Sequence, residues 1–216
     1  MRTLIFGTSY IGNDHHAWIV QEWIRLHGTV NPEADLLLVD SASPKAIPLG
    51  VDVLQLGDNI GHRWRENYGQ DGWGRAFCAG LEHAIREDYD WVACVEADLL
   101  CKMPVRELIR LTKISGKHMG APRATPHRFV EAGLMVMNTD WLEQWAFIHK
   151  YDWCGGTVFP ETRLENIAAE ELHWLEDVKG VRLSDDGATR SRTDLRRLDY
   201  LTHATIPEFC EFLESR

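Results

Sequence analysis

Trp91-Val92-Ala93-Cys94-Val95-Glu96-Ala97-Asp98 decides the reading of this chain. Its first five residues are a continuous apolar run, the pattern of a parallel strand covered on both faces by helices. Two carboxylates follow at once, two positions apart. In an extended segment residues i and i+2 point the same way, so Glu96 and Asp98 are placed to share one ligand. Two anionic oxygens facing one point repel unless protons or a cation lie between them. Mg²⁺ or Mn²⁺ bridging to phosphate is one solution, because such ions use one or two protein carboxylates and complete their shell from water and phosphate. A strand end followed by a turn, with both side chains simply solvated, fits the same residues.

Upstream, Thr3 to Phe6 is a first apolar strand, and Asp14 can cap a helix carrying Trp18, Ile19, Trp23, Ile24 and Leu26, which Gly28 can end. Leu36 to Val39 is a second buried run ending in Asp40, and Val51 to Leu56 a third, more alternating strand. Gly57 to Gly74 is rich in Gly, Asn and Asp and reads as loop, after which Ala76, Phe77, Leu81, Ala84 and Ile85 fall at helical spacing. Downstream, Pro104 can open a helix through Leu111, and Lys117 to Ala121 is a further strand. Gly133 to Met137 is a buried strand, followed by a helix with Trp141, Leu142, Trp145 and Ile148 capped by Asn138 or Thr139. Another helix is expected from Pro160 through Leu175, then a short strand at Val181 to Leu183, a polar loop from Ser184 to Asp194 and a closing helix from Pro207. The alternation predicts an α/β, Rossmann-like three-layer sandwich with a mostly parallel central sheet, whose ligands bind outside the carboxyl ends of the strands.

Totals bound the function. At 216 residues, 44% hydrophobic and 26% charged, one globular domain is expected. No apolar run is long enough for a membrane span and the first apolar segment is too short for a signal peptide, so a cytoplasmic location is expected. The five scattered cysteines contain no C-x-x-C pair and read as buried thiols. A formal net charge of −10 argues against nucleic-acid or anionic-membrane partners, which require a cationic face. A phosphate-bearing ligand stays open, since a divalent cation can neutralise it locally. Gly7-Thr8-Ser9-Tyr10-Ile11-Gly12-Asn13 lacks the Lys-Ser/Thr of a phosphate loop, no strand leads into G-x-G-x-x-G, and no G-x-S-x-G occurs. The sequence leaves oligomeric state open.

The order of segments resembles the GT-A-fold glycosyltransferases, especially family-2-like bacterial enzymes. The likeness is carried by Gly74-Arg75-Ala76-Phe77-Cys78-Ala79-Gly80-Leu81 leading to Asp88 through Asp98, by Leu38-Val39-Asp40-Ser41-Ala42-Ser43 and by Gly57-Asp58-Asn59-Ile60-Gly61. It spans roughly residues 2 to 140 well and the remainder loosely, and implies that residues 1–100 form a nucleotide-binding half and 101–216 an acceptor-binding half of the single domain. Glu96 stands where the family commonly has Asp, and Gln70-Asp71-Gly72-Trp73-Gly74 is an insertion without a family counterpart.

The resemblance implies transfer of a sugar from a nucleotide-diphospho-sugar to a carbohydrate or other acceptor hydroxyl, with Mn²⁺ or Mg²⁺ as cofactor. Asp98 and His203 would be the metal ligands, with Thr8, Asp40 and Asn59 at the nucleoside, Arg75 at phosphate, Glu96 beside the donor and Gly133 behind the sugar. An inverting transferase needs a carboxylate as general base, for which Glu161, Glu170 and Glu171 are the candidates. Each has a plain alternative: Thr8 ends a strand, Asp40 and Asn59 stabilise turns, Arg75 and the glutamates face solvent, Gly133 eases packing, and His203 is a surface histidine. His15 and His16 read as helix-start residues. Trp64, Trp73 and Trp153 are candidate sugar platforms in loops, while Trp18, Trp23, Trp141 and Trp145 read as core. A sugar-phosphate nucleotidyltransferase and an inactive binding protein are the rival readings.

Overall fold

The computed structural model describes residues 1–59, 70–124, 129–144, 162, 164–166, 169–183 and 194–214. Among the described residues, ten strands fall into two sheets. β1 (Thr3–Ser9), β2 (Asp35–Asp40), β3 (Asp52–Gln55), β4 (Trp91–Val95), β6 (Met119–Ala121), β7 (Leu134–Asn138) and β8 (Leu172–Trp174) form the larger, in the order β3-β2-β1-β4-β7-β6-β8. Only β7 runs against its neighbours; the other pairings are parallel. β5 (Leu99–Cys101), β9 (Gly180–Arg182) and β10 (Tyr200–Thr202) form the smaller sheet, with β10 in the middle.

The continuous apolar runs are buried as the sequence requires. β4 has no exposed residue, and both faces of the larger sheet are covered by separate hydrophobic clusters. On one face α1 (Asp14–Val30) packs through Trp23, which is fully buried and donates its indole N–H to the Val95 carbonyl at 3.1 Å. That bond pins the helix to the last residue of β4. On the other face α2 (Gln70–Arg86) packs Ala76, Phe77, Leu81 and Ala84 against Leu4, Phe6 and Val92. α3 (Val105–Ile114) and α4 (Thr139–Gln144) follow β5 and β7, and α5 (Ile206–Leu213) closes the described chain under a capping box of Thr205 and Glu208.

The expected mostly parallel α/β sandwich is present. At the ends of α1 the cap is Asn13 rather than Asp14, and the helix runs past Gly28 to Val30. Three larger expectations fail, each for a nameable reason. The Gly57–Gly74 loop is shorter than expected at its end, because α2 begins at Gln70: Trp73 lies one turn before Phe77 and stacks on it with ring centroids 4.7 Å apart, stabilising a start that the two glycines Gly72 and Gly74 disguise. The helix expected through Leu175 stops short, since Leu172–Trp174 pairs with β6 and sheet partnership overrides the helical spacing of its leucines. Of the smaller sheet only β9 was expected, as the short strand at Val181 to Leu183; β5 and β10 were not, because strands of three residues are too short to show a period.

Close packing holds that sheet in place. Tyr200 is fully buried, and a Cβ on Gly180 would lie 2.0 Å from its ring, so only glycine fits there. The four described cysteines, Cys78, Cys94, Cys101 and Cys210, are free thiols. Among the described residues no helix is long and apolar enough to cross a membrane.

Candidate functional site

The parallel strands β1, β2 and β4 end on one side of the sheet, where their polar continuations gather. A cavity of about 270 Å³ opens there, walled by Thr8 to Tyr10 after β1, Ser41 after β2, Asn59 beyond β3, Trp73 and Ala76 of α2, and Glu96 to Asp98 after β4. A second cavity of about 420 Å³ adjoins it, lined by His15, Leu183, His203, Ala204 and Phe209. His16, Ile19 and Asp98 line both, so these three form the wall between them.

The smaller sheet explains why Asp98 meets His203. β5 and β10 are antiparallel and their last pair is Leu99 opposite Thr202, so the residues immediately past that pair are Asp98 on one strand and His203 on the other. Asp98 Oδ2 and His203 Nε2 are 3.9 Å apart, with each side chain about half exposed, at 48% and 46%. His203 has φ +57, in the left-handed region that L residues seldom adopt. Such backbone persists where its surroundings fix it and gathers at functional sites.

Glu96 has a different environment. Leu99 N–H donates to the Glu96 carbonyl at 2.9 Å, so residues 96–99 form a turn rather than an extended strand, and the alternation that was to aim both carboxylates at one ligand does not apply. Glu96 takes the indole N–H of Trp73 on Oε1, while Oε2 lies against Gly133, where a Cβ would approach it to 2.9 Å. Gly133 therefore permits Glu96 to sit in this place, and its carbonyl accepts the Glu96 N–H at 2.9 Å. Burial pushes the Glu96 carboxyl up to about 8; the Asp98 charge adds to this and Arg182 opposes it.

Asp40 is fully buried and does not line either cavity. Ser9 Oγ donates to it at 3.0 Å, Ser43 N–H at 2.9 Å and Gln55 Nε2 at 2.6 Å, and the Ser43 hydroxyl donates as well. The carboxylate organises the β2 loop, which passes through Ala42 at φ +55 and presents Ser41 to the cavity.

Thr8, Asn59, Glu96 and Asp98 are thus brought together, and His203 joins them through Asp98. Arg75 is not: exposed on α2, it pairs with Asp58 outside the cavity wall. Gly133 stands behind Glu96 rather than on the wall. Glu170 and Glu171 lie elsewhere. They precede Leu172, which pairs with Met119, itself opposite Met137 and through it level with Val92 at the start of β4, so they sit at the other end of the sheet. There Glu171 faces His118 at 4.0 Å and the Glu170 carbonyl accepts a bond from Lys117. Glu161, Trp64, Trp145 and Trp153 are outside the described residues. Trp73 lies on α2, not in a loop, and its N–H is committed to Glu96. Of the tryptophans read as core, Trp23 and Trp141 are buried and Trp18 is partly so, packed near Phe209.

Sequence reasoning missed Trp73 as the partner of Glu96 and passed over His16. Its i, i+4 relation to Phe77 would have revealed the first; nothing local marks the second, because only the meeting of α1 with β4 puts it on the shared wall.

No family model matches the chain, and no curated protein does. Solved structures do. A glycosyltransferase involved in the glycosylation of the major capsid of PBCV-1 is 9% identical and superposes with a TM-score of 0.58 over 100% of this chain and 98% of its own. The mannosyltransferase PcManGT of Pyrobaculum calidifontis, in complex with GDP-Man and Mn²⁺, is 15% identical with a TM-score of 0.54, over 99% of this chain and 68% of its own. The glycosyltransferase GlyE of Streptococcus pneumoniae is 14% identical with a TM-score of 0.54, over 96% and 55%. The architecture is therefore the GT-A fold expected from the sequence.

Proposed function

We propose that the chain is a nucleotide-sugar-dependent glycosyltransferase that holds the donor diphosphate at Asp98 with a divalent cation, Mn²⁺ or Mg²⁺. One observation carries this reading. Asp98 is a half-exposed carboxylate on the wall between two cavities, facing a histidine 3.9 Å away that a separate strand delivers.

Among the described residues no cluster of three or more His, Cys, Asp or Glu could hold a metal ion. That suits an ion which takes only one or two ligands from the protein and the rest from phosphate and water. An oxygen of Asp98 and a nitrogen of neutral His203 are donors that Mn²⁺ accepts. Bound there, the cation would neutralise negative charge growing on the departing nucleoside diphosphate.

The chain's own groups supply the rest. Thr8, Ser9, Ser41 and Asn59 offer hydroxyls and an amide to the nucleoside in the first cavity. Ile19, Val20 and Ala76 give it apolar wall and exclude water. The second cavity, across Asp98, has room for the sugar and the acceptor, with His15, His16 and His203 as polar side chains on its lining. Glu161 remains the proposed general base; Glu170 and Glu171 would have to act from the far end of the sheet.

The test is a hydrolysis screen across UDP-, GDP- and CMP-sugars, with and without Mn²⁺. Cation-dependent hydrolysis of at least one donor, lost in Asp98→Ala, is the expected result. A wild-type protein that neither binds nor hydrolyses any nucleotide sugar would end this reading.

A further inference from the structure

Glu131 is a carboxylate with no exposed surface, and the donor site described above does not use it. Arg182 Nη2 donates to its Oε1 at 2.5 Å and Arg182 Nε to its Oε2 at 3.4 Å. A buried ion pair is a weak source of stability, because desolvating two charges offsets most of their attraction. The significance of this pair lies in what it joins.

Arg182 ends β9 in register with Thr202, and His203 is the next residue. The Leu183 N–H donates to the Thr202 carbonyl at 3.1 Å and extends that pairing by one step. Glu131 lies in the turn entering β7: its N–H donates to Pro122 O at 2.9 Å, and its Oε1 accepts from Gly133 N–H at 3.3 Å. Gly133 in turn holds the Glu96 N–H through its carbonyl, two residues before Asp98. The ion pair therefore fastens the row of His203 to the backbone that carries Glu96 toward Asp98. Both Asp98 and His203 lie beyond the last β5–β10 pair, where the ladder alone does not fix their separation.

We infer that Arg182 and Glu131 are positioning residues that set His203 against Asp98. A planar guanidinium meeting a carboxylate at two points fixes both distance and angle, which a single ammonium contact does not. The inference rests on the cation site proposed above and extends it to two residues that line neither cavity.

The experiment measures Mn²⁺ alone, by loss of the free-ion EPR signal, in wild type, Arg182→Met, Arg182→Lys, His203→Ala and the double variant Arg182→Met/His203→Ala, each first checked for folding by circular dichroism. Removing a side chain that orients a metal ligand commonly costs about 10–100-fold in affinity; Arg182 acts one step further out, through backbone, so Arg182→Met is expected to weaken Mn²⁺ binding at the low end, about tenfold. Arg182→Lys falls between it and wild type. The double variant binds no more weakly than His203→Ala alone, because the latch acts only through the histidine. A purely structural role lowers the melting temperature and leaves the folded protein's Mn²⁺ affinity unchanged. That result, or fully additive losses in the double variant, overturns the inference, and Arg182→Lys decides it if Arg182→Met does not fold. Wild type without Mn²⁺ affinity overturns the cation reading and this inference together, whereas tight wild-type binding unaffected by Arg182 overturns the latch alone.

Discussion

Two aspartates lie at or just beyond the ends of buried parallel strands on the same side of this sheet, and they have opposite fates. Asp40, after β2, is completely buried, and its oxygens are occupied by Ser9, Ser43 and Gln55. Asp98, beyond β4, is half exposed on a cavity wall and, among the described residues, faces a histidine at 3.9 Å. A carboxylate that accepts several bonds from its own chain is a structural part; one whose capacity is left open toward a cavity is available to a ligand. The comparison teaches that a polar residue at a strand end says where to look, and the surrounding donors say what it does.

Substitutions can break that contrast. The largest effect is expected at Asp98→Ala: donor turnover falls at least about a hundredfold, as for loss of other preorganised charge-stabilising groups. Its melting temperature stays within about 2 °C of wild type, since the side chain is half exposed and buries no partner. Activity assay with calorimetric unfolding checks both halves, and an active Asp98→Ala protein would remove the assignment. Asp40→Ala should do the reverse. Leaving the Ser9, Ser43 and Gln55 donors unsatisfied costs about 2–3 kcal/mol, read as a fall in melting temperature of about 4–12 °C. Nucleotide affinity of the folded fraction changes by less than about tenfold, and a stable Asp40→Ala protein that has lost nucleotide binding would mean that this carboxylate contacts the nucleoside after all.

A smaller effect sharpens the contrast within the motif itself. Trp73→Phe keeps a ring over Phe77 and removes the N–H given to Glu96, at a cost of about 1–2 kcal/mol in urea unfolding. No loss of stability would show that Glu96 finds an equivalent donor in water. Gly180→Ala serves as a packing control away from the donors: its Cβ meets the buried Tyr200 ring, and overpacking of this kind costs about 1–3 kcal/mol.

The large sheet was legible because its strands are long enough to show continuous apolar runs, as at Leu36 to Val39 and Trp91 to Val95, and the ends of such strands pointed to Thr8, Asn59, Glu96 and Asp98. What could not be read depends on contacts between distant segments. β5 and β10 are too short to carry a pattern, yet their register is what sets His203 opposite Asp98. The His203 reading came from likeness to a family and not from its neighbours, Leu201 and Thr202. The turn at residues 96–99 defeated the alternation argument, because the strand ends one residue before the carboxylates begin. Glu170 and Glu171 misled for a related reason: a helix expected through Leu175 would have carried them along its surface, but β8 fixes them at the opposite end of the sheet.

The most direct test of the central claim is titration calorimetry of UDP and GDP into wild type and Asp98→Ala, each with and without Mn²⁺. The account predicts that at least one nucleotide binds wild type only when Mn²⁺ is present, and that Asp98→Ala loses this binding while remaining folded. Nucleotide binding of equal strength in all four conditions would contradict it.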